Sequence, residues 1–359
     1  LIDRLIDRPV RPAGFVAGFD SPPGHHVKSS VNLEKCIMTG KLIVKFLIVV
    51  LCVGIHGAAP AARAQLDAGP KTSDKGISFG EAQVTKWRVG MSITAAGPCR
   101  GVLATVPVPT QWPEQTVRVL EEEISPAAHV TYRDLDGVRQ MLIQVPGLPA
   151  GAEAHAYFTY EITRKAILAP PDPGVFVVPK RVPRDLRIFL GESPFIESRH
   201  AQIRSLAKEV VRDKETAWEQ VEAIYDYVRE KVEYREGELK GALAALRDGN
   251  GDCEELSSLV IALCRANKIP ARTVWIPDHC YPEFYLEDDE GNGHWIPCQA
   301  AGTRAFGSMP EARPILQKGD NFRVPGNKAP QRYVAEQMTV KAVTGAGKPT
   351  VKFVREYVP

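Results

Sequence analysis

Two spacings of apolar residues divide this chain. In the first part, apolar and polar residues alternate with period two over residues 86–93, 115–120, 137–145 and 154–163, with Pro, Gly and Asp between them. Short strands at such spacing predict a β-sandwich over residues 65–190, with Trp87, Tyr157 and Tyr160 in its core. A Pro-rich connector over 169–184 follows, and then the spacing becomes helical. Helices are predicted near 196–211 and 216–232, the second with Trp218, Val221, Ile224, Tyr225 and Val228 on one face. A third, amphipathic helix opens at Cys253, with Leu256, Leu259, Val260 and Leu263 at i, i+3, i+4 and i+7. The Val-Trp-Ile and Phe-Tyr-Leu runs after Pro270 read as strands, and Asp-Asp-Glu-Gly-Asn-Gly at 288–293 reads as the turn of a hairpin. Beyond Gly302 the chain is rich in Pro and Gly, with late strands predicted at 337–343 and 350–357 that would complete the core formed by 191–302.

Candidate chemistry concentrates at Cys253, in the run Gly-Asn-Gly-Asp-Cys-Glu-Glu-Leu-Ser-Ser-Leu. Gly249 and Gly251 permit a sharp turn into the helix, and Asp252 is placed to cap it. A thiol at a helix N-terminus lies beside the positive end of the macrodipole, which favours the nucleophilic thiolate. A cysteine in an unremarkable position would be read as core; this position argues for a nucleophile. Such a nucleophile needs a base held by a third polar group. His279 would begin one strand of the predicted hairpin and Gln299 would end the next, so pairing would bring both to one end of the sheet.

These residues carry a family likeness. The stretch from about Ser193 to Gly302 resembles the transglutaminase-like superfamily of cysteine enzymes, which have a papain-like core. The matching features are Gly-Asp-Cys-Glu-Glu-Leu-Ser-Ser-Leu at the nucleophile and Leu-Cys-Arg-Ala-Asn-Lys-Ile-Pro-Ala-Arg at 263–272. His279 with Glu283 and Tyr285, and His294-Trp295-Ile296-Pro297, match its two strands. The resemblance implies an α+β fold: a papain-like transglutaminase core at 191–302 behind the N-terminal β-sandwich. It further implies Cys253 as nucleophile, His279 as base and Gln299 as orienter, acting on amide bonds of a peptide or protein through a thioester. Hydrolysis and transfer to an amine share that acyl-enzyme, and the reading favours hydrolysis. The chain departs from the family at Gln299, where Asp is usual. A neutral amide can accept a hydrogen bond from the imidazole, expected here at Nδ1, but adds no charge to stabilise imidazolium. The competing reading is an inactive binding or scaffold module of the cell envelope.

Other polar clusters are weaker. His294, the rival base, stands at a strand start after a polar turn, and His129, His155 and His200 lack catalytic context. Cys253, Cys264, His279, Cys280, His294 and Cys298 crowd one region, yet neither C-x-x-C nor H-x-x-x-H occurs, against zinc. Asp288, Glu290, Asn292 and Gly293 imitate the start of a calcium loop, but its twelfth position is Gln299 rather than Glu. No metal and no cofactor are called for.

The start of the sequence bears on location. Residues 38–64 comprise a Lys-containing segment, an apolar run at 46–55 and Ala62-Arg63-Ala64, the pattern of a secretory signal peptide cleaved after Ala64. Residues 1–37 read as an extension upstream of Met38. The apolar run is short for a membrane span, so the mature protein is expected to be periplasmic or extracellular, without a stable span. A net charge of +2 gives no argument for nucleic acid as a partner. Five cysteines follow Ala64, an odd number that suits one free reactive thiol; Cys280 with Cys298 is the best candidate disulfide, with buried free thiols as the alternative.

Overall fold

A computed structural model describes residues 75–344 and 347–359. The upstream extension and signal peptide expected over 1–64 lie outside these residues. Among the described residues no helix is long and apolar enough to cross a membrane.

The first part is built from β1 (Ser78–Thr94), β2 (Cys99–Val108), β3 (Gln115–Ile124), β4 (His129–Leu135), β5 (Val138–Leu148) and β6 (Glu153–Leu168). The second part contains α1 (Ala201–Val210), α2 (Ala217–Lys231), β7 (Glu233–Tyr234), α3 (Ala242–Asp248), β8 (Asn250–Gly251) and α4 (Cys253–Ala266). It continues with β9 (Ala271–Ile276), β10 (His279–Glu287), β11 (Gly293–Pro297) and β12 (Gln317–Lys318). The chain closes with β13 (Gln337–Val343) and β14 (Thr350–Val358).

Alternation along the early strands gives each sheet one apolar face, and two such faces bury one another. The sheets run β14-β1-β6-β3 and β13-β2-β5-β4, all antiparallel. Between them lie Trp87, Met91, Ile93, Val106, Met141, Ile143, Phe158, Tyr160 and Ile162. The expected sandwich is therefore present, with one difference at its edges. The late strands were expected to complete the sheet of the second part; instead β13 pairs with β2 and β14 with β1. Only the short β12 joins the sheet of the second part, on β9. Residues 337–358 alternate like the sandwich strands, and the long β1 and β2 offered edges that needed covering.

In the second part an antiparallel sheet, β11-β10-β9-β12, packs against α4, and α1, α2 and α3 pack on α4 as well. This corrects the amphipathic reading of α4. Residues 255–265 are all buried, because apolar Leu256, Leu259, Ile261 and Leu263 meet helices on some sides and β10 on another. The two glycines before α4 are required locally. Gly249 ends α3 in the left-handed region at φ 68°, and a Cβ on Gly251 would lie 2.4 Å from Cβ of Glu255.

Residues 303–336 strap the two parts together through buried charge. Lys318 donates to Glu114, just before β3, at 2.6 Å and to Glu283 of β10 at 2.7 Å. Arg272 of β9 also binds Glu283, at 2.9 Å. Two residues on, Asp320 accepts two hydrogen bonds of 2.8 Å from Arg265 of α4, one from Ser193 Oγ and one from the Thr273 backbone. The Arg265 and Asp320 side chains are 0% and 1% exposed, so removing one leaves the other as an uncompensated buried charge. Asp320→Ala is accordingly expected to destabilise the protein by about 3–5 kcal/mol in urea unfolding. A loss below about 1 kcal/mol, the scale of an exposed ion pair, would show that this contact does not hold the strap.

Candidate active site

Cys253 occupies the first position of α4, as expected from sequence. Asp252 caps the helix: its Oδ1 accepts from the Glu254 backbone at 2.8 Å, while Glu255 Oε2 accepts from the Asp252 backbone at 3.1 Å. Glu255 also accepts from the Lys240 backbone, which ties the loop before α3 to the same turn. The start of α4 is thereby held from two sides, and with it the sulfur of Cys253.

His279 opens β10 directly after the Pro277-Asp278 turn, where Ile276 and His279 are paired. Proline suits the first central position of such a turn, and Asp278 takes the left-handed conformation at φ 56° in the second. The imidazole lies against Cys253, and its Nε2 is 3.1 Å from Oε1 of Gln299. The nitrogen facing Gln299 is thus Nε2 rather than the expected Nδ1. Gln299 is itself held from behind by Arg229 of α2, which donates to its backbone carbonyl at 3.0 Å and to those of Ala300 and Gly302. The Gln299 backbone N–H is bonded to the carbonyl of Ala305.

The electrostatics favour a charged pair. Cys253 receives a hydrogen bond from the Cys280 thiol, the largest effect, against which burial works in the opposite sense. His279 adds its own hydrogen bond and positive charge, and the thiol is pushed down from 9.0 to about 4. For His279, burial opposes protonation, but the Cys253 thiolate, by hydrogen bond and charge, and the Gln299 carbonyl raise it above 6.5 overall. Each group favours the charged form of the other, which is the arrangement of a thiolate–imidazolium pair.

Several neighbours have no signal in sequence spacing. Cys280 points at the first turn of α4, with Sγ 3.4 Å from the Cys253 carbonyl oxygen and 3.7 Å from Ser257 Oγ. Glu254, next to Cys253, pairs with Arg332 of the strap. Burial pushes Glu254 up to about 7 in spite of that arginine. Arg332 also lies over the rings of Trp275 and Phe195, 5.3 and 5.9 Å from their centres. Only the hydrophobic step pattern around Trp275 could have hinted at these contacts, and it names no partner.

Two other readings of the sequence bear on the site. His294 is not brought to Cys253; its Nε2 is 3.0 Å from Asp288 in the turn between β10 and β11. Asp288 also accepts from the backbones of Glu290 and Asn292, hydrogen bonds that hold the turn. Cys280 and Cys298 are both free thiols. The hairpin register sets Glu283 opposite Pro297, and the Cys298 backbone bonds to Pro282, so the two cysteines are not opposite one another. The Cys298 side chain enters the apolar core beside α4.

The lowered thiol has a direct readout. A group ionising near 4 is almost entirely thiolate at pH 6, where a thiol at 9.0 would be on the order of 0.1% ionised. Iodoacetamide is therefore expected to alkylate Cys253 at pH 6 nearly as fast as at pH 8, with the rate falling as pH drops through about 4. A profile rising tenfold per pH unit between 6 and 8 would contradict the pairing with His279.

Comparison with known proteins agrees with this architecture. Residues 204–300 match the model of the transglutaminase-like superfamily. A candidate cysteine protease from Cytophaga hutchinsonii superposes with a TM-score of 0.52 at 17% identity, covering 79% of this chain and 93% of that one. The periplasmic domain of TgpA from Pseudomonas aeruginosa is more distant, with a TM-score of 0.32 at 13% identity over 63% of this chain and 88% of its own. No curated protein matches the sequence. Residues 204–300 are thus similar to the transglutaminase-like superfamily, and the chain shares its fold with the Cytophaga hutchinsonii protein.

Proposed function

We propose that the protein is an exported cysteine enzyme that cleaves amide bonds of peptides or proteins, with Cys253 as nucleophile. The observation that carries this reading is the chain of contacts from the Cys253 thiol to the His279 ring and from Nε2 of that ring to Gln299. The thiolate attacks the amide carbonyl, and the carbon becomes tetrahedral. The backbone N–H of Cys253, at the free end of α4, supports the oxyanion. His279 gives its proton to the departing amine as the C–N bond breaks, leaving a thioester. Neutral His279 then takes a proton from water, hydroxide adds to the thioester, and the thiolate leaves as the acid is released. An amine in place of water would give a transamidation product by the same steps. Gln299 keeps the ring facing the sulfur throughout, and Arg229 keeps Gln299 in place. The signal-peptide pattern at 38–64 supports action outside the cytoplasm, on peptides or proteins of the cell envelope.

A screen of the protein on peptide, isopeptide and cell-wall amides, with and without an added amine, identifies the bond and the acceptor. On any amide so found, Cys253→Ala is expected to abolish turnover at a stability cost of about 1 kcal/mol. Retention of wild-type turnover by Cys253→Ala would exclude the covalent route. Lack of turnover on every amide by a protein whose Cys253 alkylates at pH 6 would favour a binding module.

Gln299 gives an independent test. Gln299→Asp is expected to remain active and to raise the His279 pKa, because a carboxylate beside the ring favours its protonated form. The imidazolium then persists to higher pH, so the basic limb of the pH–rate profile moves upward. Gln299→Ala frees the ring and is expected to reduce the rate by roughly ten- to a thousandfold, the scale of lost acid–base help. Wild-type rates for Gln299→Ala at every pH would remove Gln299 from the mechanism.

A further inference from the structure

The steps above leave one thiol at the site unused. Cys280 follows His279 in β10, is 1% exposed, and directs its sulfur at the first turn of α4. Its Sγ lies 3.4 Å from the Cys253 carbonyl oxygen and 3.7 Å from Ser257 Oγ, which places the second sulfur beside the residue that carries the first. Ser257 Oγ in turn donates to the Cys280 carbonyl at 3.4 Å, so the second thiol is held from both its side chain and its backbone. Cys253 is partly exposed, whereas Cys99, Cys264, Cys280 and Cys298 are all buried. Among these described cysteines, an oxidant arriving from solvent reaches Cys253 first, with Cys280 already behind it.

We propose that Cys280 is a resolving thiol, which converts peroxide-oxidised Cys253 into a reversible Cys253–Cys280 disulfide. The oxidant is hydrogen peroxide. The Cys253 thiolate attacks one peroxide oxygen, the S–O bond forms and the O–O bond breaks. The sulfur gives two electrons to the peroxide, and His279 protonates the departing hydroxide to water. The sulfur of Cys280 then attacks the sulfenic sulfur. The S–S bond forms, the S–O bond breaks, and the Cys280 proton passes through neutral His279 to the leaving hydroxide as a second water.

The order of events has a physical cause. Burial and the adjacent Cys253 thiolate hold the Cys280 thiol protonated in the reduced protein. Once Cys253 is a neutral sulfenic acid, the repulsive anion is gone and Cys280 becomes easier to ionise. Cys280 Sγ already lies 3.4 Å from the Cys253 carbonyl oxygen, and a disulfide needs the two sulfurs to close to about 2 Å. Without a resolving partner a sulfenic acid proceeds to the irreversible sulfinic acid. The switch rests on the reactivity of Cys253 and not on the thioester, so the two ideas fail separately.

The test uses the full chain, reduced, freed of reductant and treated with hydrogen peroxide before alkylation, digestion and mass spectrometry. The expected product is the Cys253 peptide joined to the Cys280 peptide, lost on dithiothreitol treatment with full return of Cys253 labelling. In Cys280→Ser the link is absent, a dimedone adduct appears on Cys253, and labelling no longer returns after dithiothreitol. Wild-type protein that yields sulfinic Cys253 with no link to Cys280, or a link to another cysteine, overturns the inference. So does a Cys253 that iodoacetamide does not label before peroxide. The wild-type measurement decides the matter even where the variant fails to fold. A reversible link in a protein that cleaves no amide would leave the switch standing and remove the hydrolase.

Discussion

The arrangement of the site depends on a buried ionic junction carried by two residues of the strap. Lys318 joins Glu114 at the edge of the sandwich to Glu283 in the middle of β10, and Asp320 joins the strap to Arg265 on α4. These are the two elements that carry His279 and Cys253. Charges buried to this degree are costly unless every partner is present, which makes their geometry specific instead of merely attractive. Surrounding polar contacts complete the junction: Gln115 bonds both backbone groups of Ile315, and Trp275 Nε1 donates to Gly319 at 2.7 Å. Arg164 of β6 adds a further tie, to the Tyr281 hydroxyl one residue beyond Cys280. The sandwich is thus a foundation for the strand bearing the histidine as well as a neighbour of it.

Within the site, opposing effects decide the ionic state of the sulfur. Burial alone would keep Cys253 a thiol, as it does for Cys264, whose pKa is pushed up to about 12. Both residues lie on α4, Cys253 at its first turn and Cys264 near its end. The difference is in what faces each sulfur: Cys253 meets two hydrogen-bond donors and a cation, whereas Cys264 lies in the apolar core. The same comparison explains why Cys280, buried beside an anion, remains protonated. Three cysteines in one domain therefore meet three different electrostatic surroundings by placement.

Much of this was legible along the chain. The period-two runs specified the sandwich strands, because a one-residue slip would turn every apolar side chain outward. Gly249, Gly251 and Asp252 announced a helix start at Cys253, since left-handed backbone and capping chemistry are local properties. The hairpin turn at 288–292 placed His279 and Gln299 at one end of the sheet by counting alone. The late strands were visible as strands, but their partners were not: alternation states that a strand has a buried face without stating whose edge it joins.

What the sequence by itself determined was local: element type, the helix-tip thiol, and a histidine and an amide at compatible strand ends. Only the tertiary structure decided which nitrogen of His279 faces Gln299, that Arg229 stands behind Gln299, and that Cys280 lies against Cys253 instead of pairing with Cys298. It also decided that His294 turns to Asp288 and leaves the site to His279. Side-chain direction at such positions depends on strand register and on helices packed from far away in the chain. Contacts between residues 253 and 280, or 265 and 320, carry no periodic signature for the sequence to display.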